Sequence, residues 1–235
     1  MKISFNQPAF IPWGGFFARL MSSDRMVLLD ETVLGRGFTY VNRNRVKGSK
    51  GEIWLTVPLK RKGRGAQKIR DLEIYEKQRW VRKFLLTLRH FYGHSVHFDE
   101  IFGEIHNAVA SSEESFLDLA MPLLEILRRH LAIGTEMVLQ SKTGIMGKGT
   151  DLLVALAKEL GAAEVILPYF SEKAVEVEKF RREKMDVRFL RYDPPPYPQF
   201  WGEFAQNLSA LDLLLCCGKD GRRVIEKGIV SPRTS

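Results

Sequence analysis

The sequence predicts an α/β protein with a mixed, largely parallel sheet flanked by helices, a basic β-hairpin and a helical insertion. In the last third of the chain, apolar strand-like segments alternate with segments of helical periodicity, which is typical of parallel strands joined by crossover helices. Two alternating segments, at 38–46 and 52–59, flank the Gly-containing turn KGSKG and indicate the hairpin. Residues 80–132 have helical periodicity, so we expect one domain over 1–235 that contains this insertion.

Short alternating or apolar segments bounded by turn residues predict the strands of the first third of the chain. They are 2–6, 26–29, 38–46, 52–59 and 72–75. The first of them ends in the Pro/Gly stretch QPAFIPWGG, from which a helix is expected to start near Gly14 and to run through Leu20.

Apolar stripes predict three helices in the insertion. Trp80 and Phe84 lie on one helical face, and a similar stripe covers residues 101–108. The third helix, at 115–131, contains Pro122 and is expected to kink there. In the last third, the expected strands are 137–140, 165–167 and 187–192, and the expected helices are 151–160, 171–185 and a final one from Ala210.

The composition is that of a folded protein, because 45% of the 235 residues are hydrophobic and 27% are charged. No apolar run reaches the roughly 18 residues of a membrane span, and residues 1–10 lack the apolar stretch of a secretory signal. We therefore expect a cytoplasmic protein. The only two cysteines, Cys216 and Cys217, are adjacent and cannot link distant segments, so we expect them to be reduced and buried.

The positive charge is concentrated in one segment. The net charge is +8, yet residues 36–70 contain eleven Lys and Arg against a single acid, Glu52. The rest of the chain is therefore nearly neutral, and a single basic surface is expected. Such a surface implies an anionic partner, whether a phosphate, a sugar nucleotide, a lipid headgroup or a nucleic acid.

A first candidate site is the loop that follows the first strand. A strand that ends in a Pro/Gly loop and a helix N-terminus presents free backbone N–H groups to a phosphate or carboxylate. Gln7 can both donate and accept hydrogen bonds there, next to Pro12, Gly14 and Gly15. The alternative is that the prolines and glycines only shape a turn, which Gln7 caps.

A second candidate is the strand at 41–46. Side chains alternate along a strand, so Asn42 and Asn44 share one face while Arg43 and Arg45 share the other. The arginines could be solvated charges that protect an edge strand. Two asparagines on a strand are harder to explain structurally, because Asn has a low β propensity.

A third candidate is the loop YDPPPYPQFW at 192–201, where Tyr197 and Gln199 could be the polar groups of a pocket. The loop could equally be a plain structural crossover. Asp212 could act on a ligand or could complete a helix capping box with Ser209. Together with Asp30, at the end of the second strand, it is a candidate general base.

Three further patterns fail on inspection. GIMGKGT at 144–150 has the wrong spacing for a phosphate-binding P-loop. The histidines at 90, 94 and 97 are interrupted by Gly93 and have no completing ligand, so we predict no metal site. Neither cysteine has a recognisable His partner for thiol catalysis. The sequence indicates no particular cofactor, substrate or oligomeric state.

Several short motifs occur together in one order along the chain. They are QPAFIPWGGFF at 7–17, VNRNRV at 41–46, WLTVP at 54–58, GTDLL at 149–153, YPQF at 197–200 and NLSALDLL at 207–214. In these motifs the chain resembles the WbqC-like proteins over nearly its whole length. Phe10 and Phe16 stand where that family often has tyrosines. The resemblance implies a role in surface-polysaccharide (O-antigen) biosynthesis, for which glycine transfer has been suggested in some members.

The leading hypothesis is a transferase that moves a small acyl or aminoacyl group to a sugar or sugar nucleotide. The loop after the first strand would hold an anionic group, and Asn42, Asn44, Tyr197 and Gln199 would orient the acceptor. Together with Gln7, these residues should then converge on one concavity at the carboxyl end of the first strand.

Two alternatives belong to other classes. A nucleotidyltransferase-like enzyme fits the strand, loop and helix at the start of the chain, but it lacks the paired histidines, since Phe10, Trp13 and Gly15 stand there. A nucleic-acid-binding module could use the basic segment 36–70, but that segment contains no recognisable nucleic-acid-binding motif. We rank the second alternative last.

Overall fold

The computed structural model describes residues 1–35, 37 and 39–230. The strands are β1 (Lys2–Asn6), β2 (Arg25–Leu28), β3 (Arg43–Gly48), β4 (Gly51–Thr56), β5 (Glu136–Leu139), β6 (Glu164–Pro168), β7 (Asp186–Tyr192) and β8 (Ile229–Val230). The helices are α1 (Gly14–Met21), α2 (Lys77–Tyr92), α3 (Phe98–Ser111), α4 (Phe116–His130), α5 (Gly149–Glu159), α6 (Val177–Arg182), α7 (Ala210–Cys217) and α8 (Gly221–Gly228).

Six strands form one sheet in the order β5-β2-β1-β6-β7-β8, and β3 and β4 form a separate antiparallel hairpin. All neighbours in the large sheet are parallel except β7 and β8. The predicted α/β class is therefore confirmed. From β1 the chain proceeds to β2 on one side, whereas β6 and β7 lie on the other. The carboxyl ends of β1 and β6 thus meet at a topological switch point, the usual ligand position in open α/β sheets.

Helices cover both faces of the large sheet, which explains why its central strands are apolar on both sides. Phe5 of β1 points into a core cluster with Leu156 of α5 and Phe180 of α6. On the opposite face, Met26 of β2 belongs to a larger cluster that contains Phe17 of α1. The larger cluster continues into α2, α3, α4, α7 and α8, so the helical stretch packs on this face.

Local sequence explains the start of α4, which continues past a proline. Ser115 caps α4 by accepting a hydrogen bond from the Asp118 backbone N–H at 3.3 Å. Pro122 lies inside this helix, which nevertheless continues to His130. None of the helices in the described part of the chain combines the length and apolarity that crossing a membrane would require.

Three element predictions were wrong. Residues 72–75 do not form a strand, because the Ile74 N–H bonds to the Glu114 carbonyl while the Tyr75 N–H bonds to the Pro58 carbonyl, so no continuous ladder can form. The helix expected at 171–185 is interrupted, since Val175 has extended backbone angles and only α6 is α-helical. The last helix divides at Gly218, whose φ is 53°.

The hairpin is shorter than predicted, because β3 begins at Arg43 and β4 ends at Thr56. Arg36 and Phe38, the first residues of the expected basic segment and of the expected strand, lie outside the described residues.

Candidate functional site

A cavity of about 690 Å³ opens at the carboxyl ends of β1 and β6. Gln7 lines it just after β1, Pro168 lines it at the end of β6, and Trp13 precedes α1 on another side. Asn44 and Arg45 of β3 contribute a further wall. Both the position at the switch point and the volume are typical of sites for small molecules.

Most of the cavity wall is apolar, and its charged residues are basic. The apolar wall includes Phe5, Trp13, Phe16, Leu153, Leu167 and Val175. Tyr40 and Phe170 also line the cavity, and their exposed fractions of 47% and 78% place them at its rim. Arg19 and Arg45 carry the charge, and no Asp or Glu lines the cavity within the described ranges. The arrangement therefore favours an anionic ligand with an apolar part.

Arg19 of α1 is buried in the cavity wall. Its Nη1 donates to the Gly15 carbonyl at 3.0 Å and its Nη2 donates to Asn6 Oδ1 at 2.6 Å, whereas its Nε has no partner. Burial lowers the pKa of Arg19 to about 10, which leaves the side chain positive at neutral pH. No motif pointed to this residue, although a lone arginine in the apolar helix GGFFARLM was the available signal.

Gln7 connects the ends of two neighbouring strands at the cavity. Its Nε2 donates to Thr32 Oγ1 at 2.9 Å, and that hydroxyl donates to the Leu29 carbonyl at 2.6 Å. Gln7 therefore has a structural partner while it lines the cavity.

Asn44 supports a strained loop at the cavity. Ile11 has a φ of 37°, a left-handed conformation that costs a non-glycine residue roughly 1–2 kcal/mol. Its carbonyl accepts hydrogen bonds from Asn44 Nδ2 at 2.9 Å and from Ser209 Oγ at 2.6 Å. The Asn44 side-chain oxygen accepts from the Arg45 N–H at 2.8 Å. Asn44 thus lines the cavity and also stabilises its loop.

Asn42 has a similar structural role outside the cavity. Its Nδ2 donates to the Val57 carbonyl at 2.8 Å, and it does not line the cavity wall. Asn42 also lies before β3, which begins at Arg43, so the two asparagines do not share a strand face as predicted. For Asn44, the hydrogen bond to the Ile11 carbonyl explains an asparagine at a position that β propensity disfavours.

Asn44→Ala is expected to lower the free energy of unfolding by about 1–3 kcal/mol, because the buried Ile11 carbonyl loses a donor in a strained conformation. Urea denaturation measures the change. The exposed Asn107 of α3 provides the matched control, and Asn107→Ala should change stability by less than about 0.5 kcal/mol. Equal stabilities of the two variants would contradict this role for Asn44.

The two glycines at the start of α1 permit close packing and do not line the cavity. A Cβ atom on Gly14 would overlap the Tyr192 hydroxyl, and one on Gly15 would overlap the Trp13 ring. The rings of Trp13 and Tyr192 pack edge to face with centroids 5.5 Å apart. Pro12 does line the cavity, and its carbonyl accepts from the Ala210 N–H at 2.8 Å.

The two arginines of β3 differ in position. Arg45 lines the cavity, and its Nη1 pairs with Glu52 at 2.7 Å while its Nη2 donates to the Asn207 carbonyl at 3.2 Å. Arg43 does not line the cavity, and its guanidinium lies 6.0 Å from the centre of the Trp54 ring.

Two glutamates from outside the basic segment pair with four of its cations. Lys60 and Arg64 pair with Glu73, whose pKa falls to about 2 because of hydrogen bonds from Arg64 and then Lys60. Lys68 and Arg70 both pair with Glu31. Glu31 and Glu73 lie outside the 36–70 window, so the window overstated the charge of this surface.

Tyr197 and Gln199 belong to a buried cluster around Asp212 and not to the cavity. Asp212 is fully buried and accepts hydrogen bonds from the hydroxyls of Tyr92 and of Tyr197, the latter at 2.7 Å. Gln199 Nε2 lies 3.3 Å from the same carboxylate. Burial raises the pKa of Asp212, and the hydrogen bonds from the tyrosines oppose that rise.

The capping prediction holds for Ser209 alone. Its Oγ accepts from the Leu211 N–H at 3.1 Å, but the Asp212 carboxylate is engaged in the tyrosine cluster and does not complete a capping box.

Asp30, the other candidate base, also lies away from the cavity wall. It is buried, and its Oδ1 accepts from the Ser141 N–H at 2.9 Å, which joins the end of β2 to the segment after β5. Cys216 and Cys217 are free and half-buried, and burial raises the pKa of Cys217 to about 11. Both thiols are therefore protonated at neutral pH.

The five polar residues expected to converge do not all meet. Gln7 and Asn44 line the cavity together, with Pro12 and Arg45, at the expected edge of the sheet. The other three, Asn42, Tyr197 and Gln199, do not line it. In the described part of the chain, no group of three His, Cys, Asp or Glu side chains is arranged to hold a metal ion.

The fold and this cavity define an open α/β protein with a small-molecule-sized cavity at the switch point of its sheet. The family model described as the WbqC-like protein family matches residues 7–224, and the chain belongs to that family. It is similar to the uncharacterized protein Rv1507c of Mycobacterium tuberculosis (strain ATCC 25618 / H37Rv), with 28% identity over 221 residues that cover 93% of this chain and 95% of that protein. No solved structure matches the chain significantly.

Proposed function

We propose that the protein is a cytoplasmic transferase whose substrate binds in the cavity at the carboxyl ends of β1 and β6. The group transferred would be glycine or another small acyl or aminoacyl group, and the acceptor would be a sugar or sugar nucleotide in surface-polysaccharide (O-antigen) precursor biosynthesis. The observation that carries the proposal is the cavity itself, with its position, its volume of about 690 Å³ and its basic lining.

The lining suits a substrate that is part anionic and part apolar. Arg19 provides positive charge, Arg45, Gln7 and Ser171 provide polar groups, and the exposed ring of Phe170 is available for a sugar or base face. Membership of the WbqC-like family supports the link to polysaccharide precursors only through the role suggested for some of its members.

In this proposal the chain acts by positioning and by electrostatic stabilisation. An amine or hydroxyl of the acceptor attacks the acyl carbonyl, a new bond to carbon forms, and the leaving group departs with its electron pair while the acceptor's proton passes to solvent. Arg45, whose charge is balanced by Glu52 at 2.7 Å, would act there as a hydrogen-bond donor to the carbonyl oxygen. Asp30 and Asp212 lie outside the cavity, so neither is assigned as a base.

The proposal is tested first by thermal unfolding with a panel of sugar nucleotides, free amino acids, acyl donors and ATP. A ligand at 100 times its dissociation constant should add roughly 2.7 kcal/mol of stability. We expect a sugar nucleotide to stabilise the protein, and mass spectrometry should then detect acyl transfer to it.

A cavity-filling variant supplies the control. Ser171→Trp places a large ring in the cavity and should abolish the ligand effect, whereas Ser111→Trp, at an exposed position of α3, should preserve it. Stabilisation by ATP with pyrophosphate release would favour the nucleotidyltransferase alternative. Stabilisation that survives Ser171→Trp would place the ligand elsewhere and contradict the proposal.

A further inference from the structure

Arg19 is a buried cation whose charge no described residue balances. Only 3% of the residue is exposed, and no carboxylate of the described chain lies within ion-pair distance of it. Its partners are the neutral oxygens of Gly15 and Asn6. These oxygens satisfy two N–H groups but do not neutralise the charge.

Such an arrangement is costly for the protein alone. Moving an unpaired ion out of water costs several kcal/mol even after the structure relaxes. Buried charges in proteins are therefore normally paired with an opposite charge or with a bound ligand. Helix α1 supplies no carboxylate to pair with this cation, since Arg19 is its one charged residue.

The missing partner has a place to bind. Arg19 lines the cavity, and its Nε, like that of Arg45, is buried without a hydrogen-bond acceptor. The other arginine of the cavity, Arg45, already pairs with Glu52 at 2.7 Å. Arg19 is therefore the cavity's uncompensated cation among the described residues.

The guanidinium group is held in place before a ligand arrives. Asn6 Nδ2 donates to the Gln7 carbonyl at 2.6 Å, which directs Asn6 Oδ1 towards Nη2 of Arg19. The Gly15 carbonyl fixes Nη1 from the other side. Preorganisation of this kind lowers the entropy that binding must overcome.

We propose that Arg19 is the anion-binding residue of the cavity and that it binds a singly charged oxyanion of the ligand, either a carboxylate or a phosphodiester. One uncompensated positive charge matches one negative charge, whereas a phosphate monoester dianion would leave a further buried charge unpaired. This assignment of Arg19 rests on the proposed function, because it uses the same cavity. It concerns only the binding of the ligand and requires no particular reaction.

The test is thermal unfolding in acetate, dimethyl phosphate, inorganic phosphate and sodium chloride at equal ionic strength. We expect acetate or dimethyl phosphate to raise the melting temperature above its value in chloride. Acetate alone would identify a carboxylate, and dimethyl phosphate alone a phosphodiester. No stabilisation by either anion, or stronger stabilisation by inorganic phosphate, would overturn the proposal.

Substitutions locate the effect. Arg19→Met should raise the apparent dissociation constant of the stabilising anion at least about tenfold, because it removes a charge-assisted hydrogen bond. Arg25→Met is the matched control, since Arg25 is a partly exposed residue at the amino end of β2, away from the cavity, and pairs with Glu136. It makes the same charge change and should keep the wild-type response.

Arg19→Lys is the second variant, in case Arg19→Met does not fold. It keeps the positive charge but loses the planar, bidentate donor geometry of the guanidinium group. We expect it to bind the anion more weakly than wild type. Wild-type affinity in both Arg19 variants would overturn the assignment. If acyl transfer is found and Arg19→Met retains wild-type kcat/KM, the inference fails while the proposed function stands. If anion binding depends on Arg19 but no transfer occurs, the inference stands and the proposed function fails.

Discussion

Asp212→Ala is expected to lower the free energy of unfolding by about 2–5 kcal/mol, one of the two largest effects anticipated for a single substitution. The buried carboxylate accepts hydrogen bonds from the hydroxyls of Tyr92 and Tyr197, and its removal leaves both without their acceptor. Each buried unsatisfied group costs about 1–3 kcal/mol. Urea denaturation followed by circular dichroism measures the loss.

The control is Asp220→Ala. The Asp220 side chain is exposed in the segment after α7, so its removal should change stability by less than about 0.5 kcal/mol. Folded Asp212→Ala with wild-type stability would contradict the structural role. A folded variant that had lost turnover would restore Asp212 as a candidate base.

The charge state of Asp212 gives this prediction a pH dependence. Burial raises the pKa of Asp212 in the folded protein above its unfolded value of about 3.9. Its contribution to stability is therefore fully present below the unfolded pKa and is lost as the pH rises through the folded pKa. Wild type should lose stability relative to Asp212→Asn as the pH rises above about 4. Parallel stability profiles of the two proteins would show that the pKa is not raised.

Phe10→Ala is expected to cost about 3–5 kcal/mol, the usual range for a fully buried phenylalanine. Phe10 is completely buried, and its ring packs edge to face on Trp80 and Phe84 of α2, each at 5.6 Å between centroids. Its N–H also donates to the Val41 carbonyl at 2.7 Å. The residue therefore joins the loop after β1 both to the helical stretch and to the segment before β3.

The same denaturation experiment tests this role. Phe170→Ala is the matched control for stability, because 78% of Phe170 is exposed and its loss should cost less than about 0.5 kcal/mol. A loss at Phe10 no greater than at Phe170 would show that the loop is not anchored through this ring.

Regular periodicity made most elements predictable. The strand expected at 187–192 corresponds to β7 (Asp186–Tyr192), and the stripe from Trp80 corresponds to α2. The sequence motifs also identified the WbqC-like family, which the family model over residues 7–224 confirms. The single domain and the cytoplasmic location stay predictions.

The candidate site was predictable in its place but not in its composition. A strand followed by a Pro/Gly loop and a helix indicated the carboxyl edge of β1, and Gln7 and Pro12 line the cavity there. Polar residues elsewhere in the chain were assigned to the site on the expectation that their polar groups would face a ligand. Asn42 and Tyr197 instead use their polar groups inside the protein, on the Val57 carbonyl and on Asp212.

The sequence by itself determined the order and type of most elements, because hydrophobic periodicity is a local property of the chain. The tertiary structure decided which charges and polar groups are paired, because their partners are distant in sequence, as Arg70 is from Glu31 and Tyr92 from Asp212. The tertiary structure also decided that the charge of Arg19 is buried without an acidic partner among the described residues. The sequence shows that residue 19 is an arginine but not whether it is exposed or buried. Only the packing of α1 against the cavity removes this side chain from water and leaves its charge for a ligand to balance.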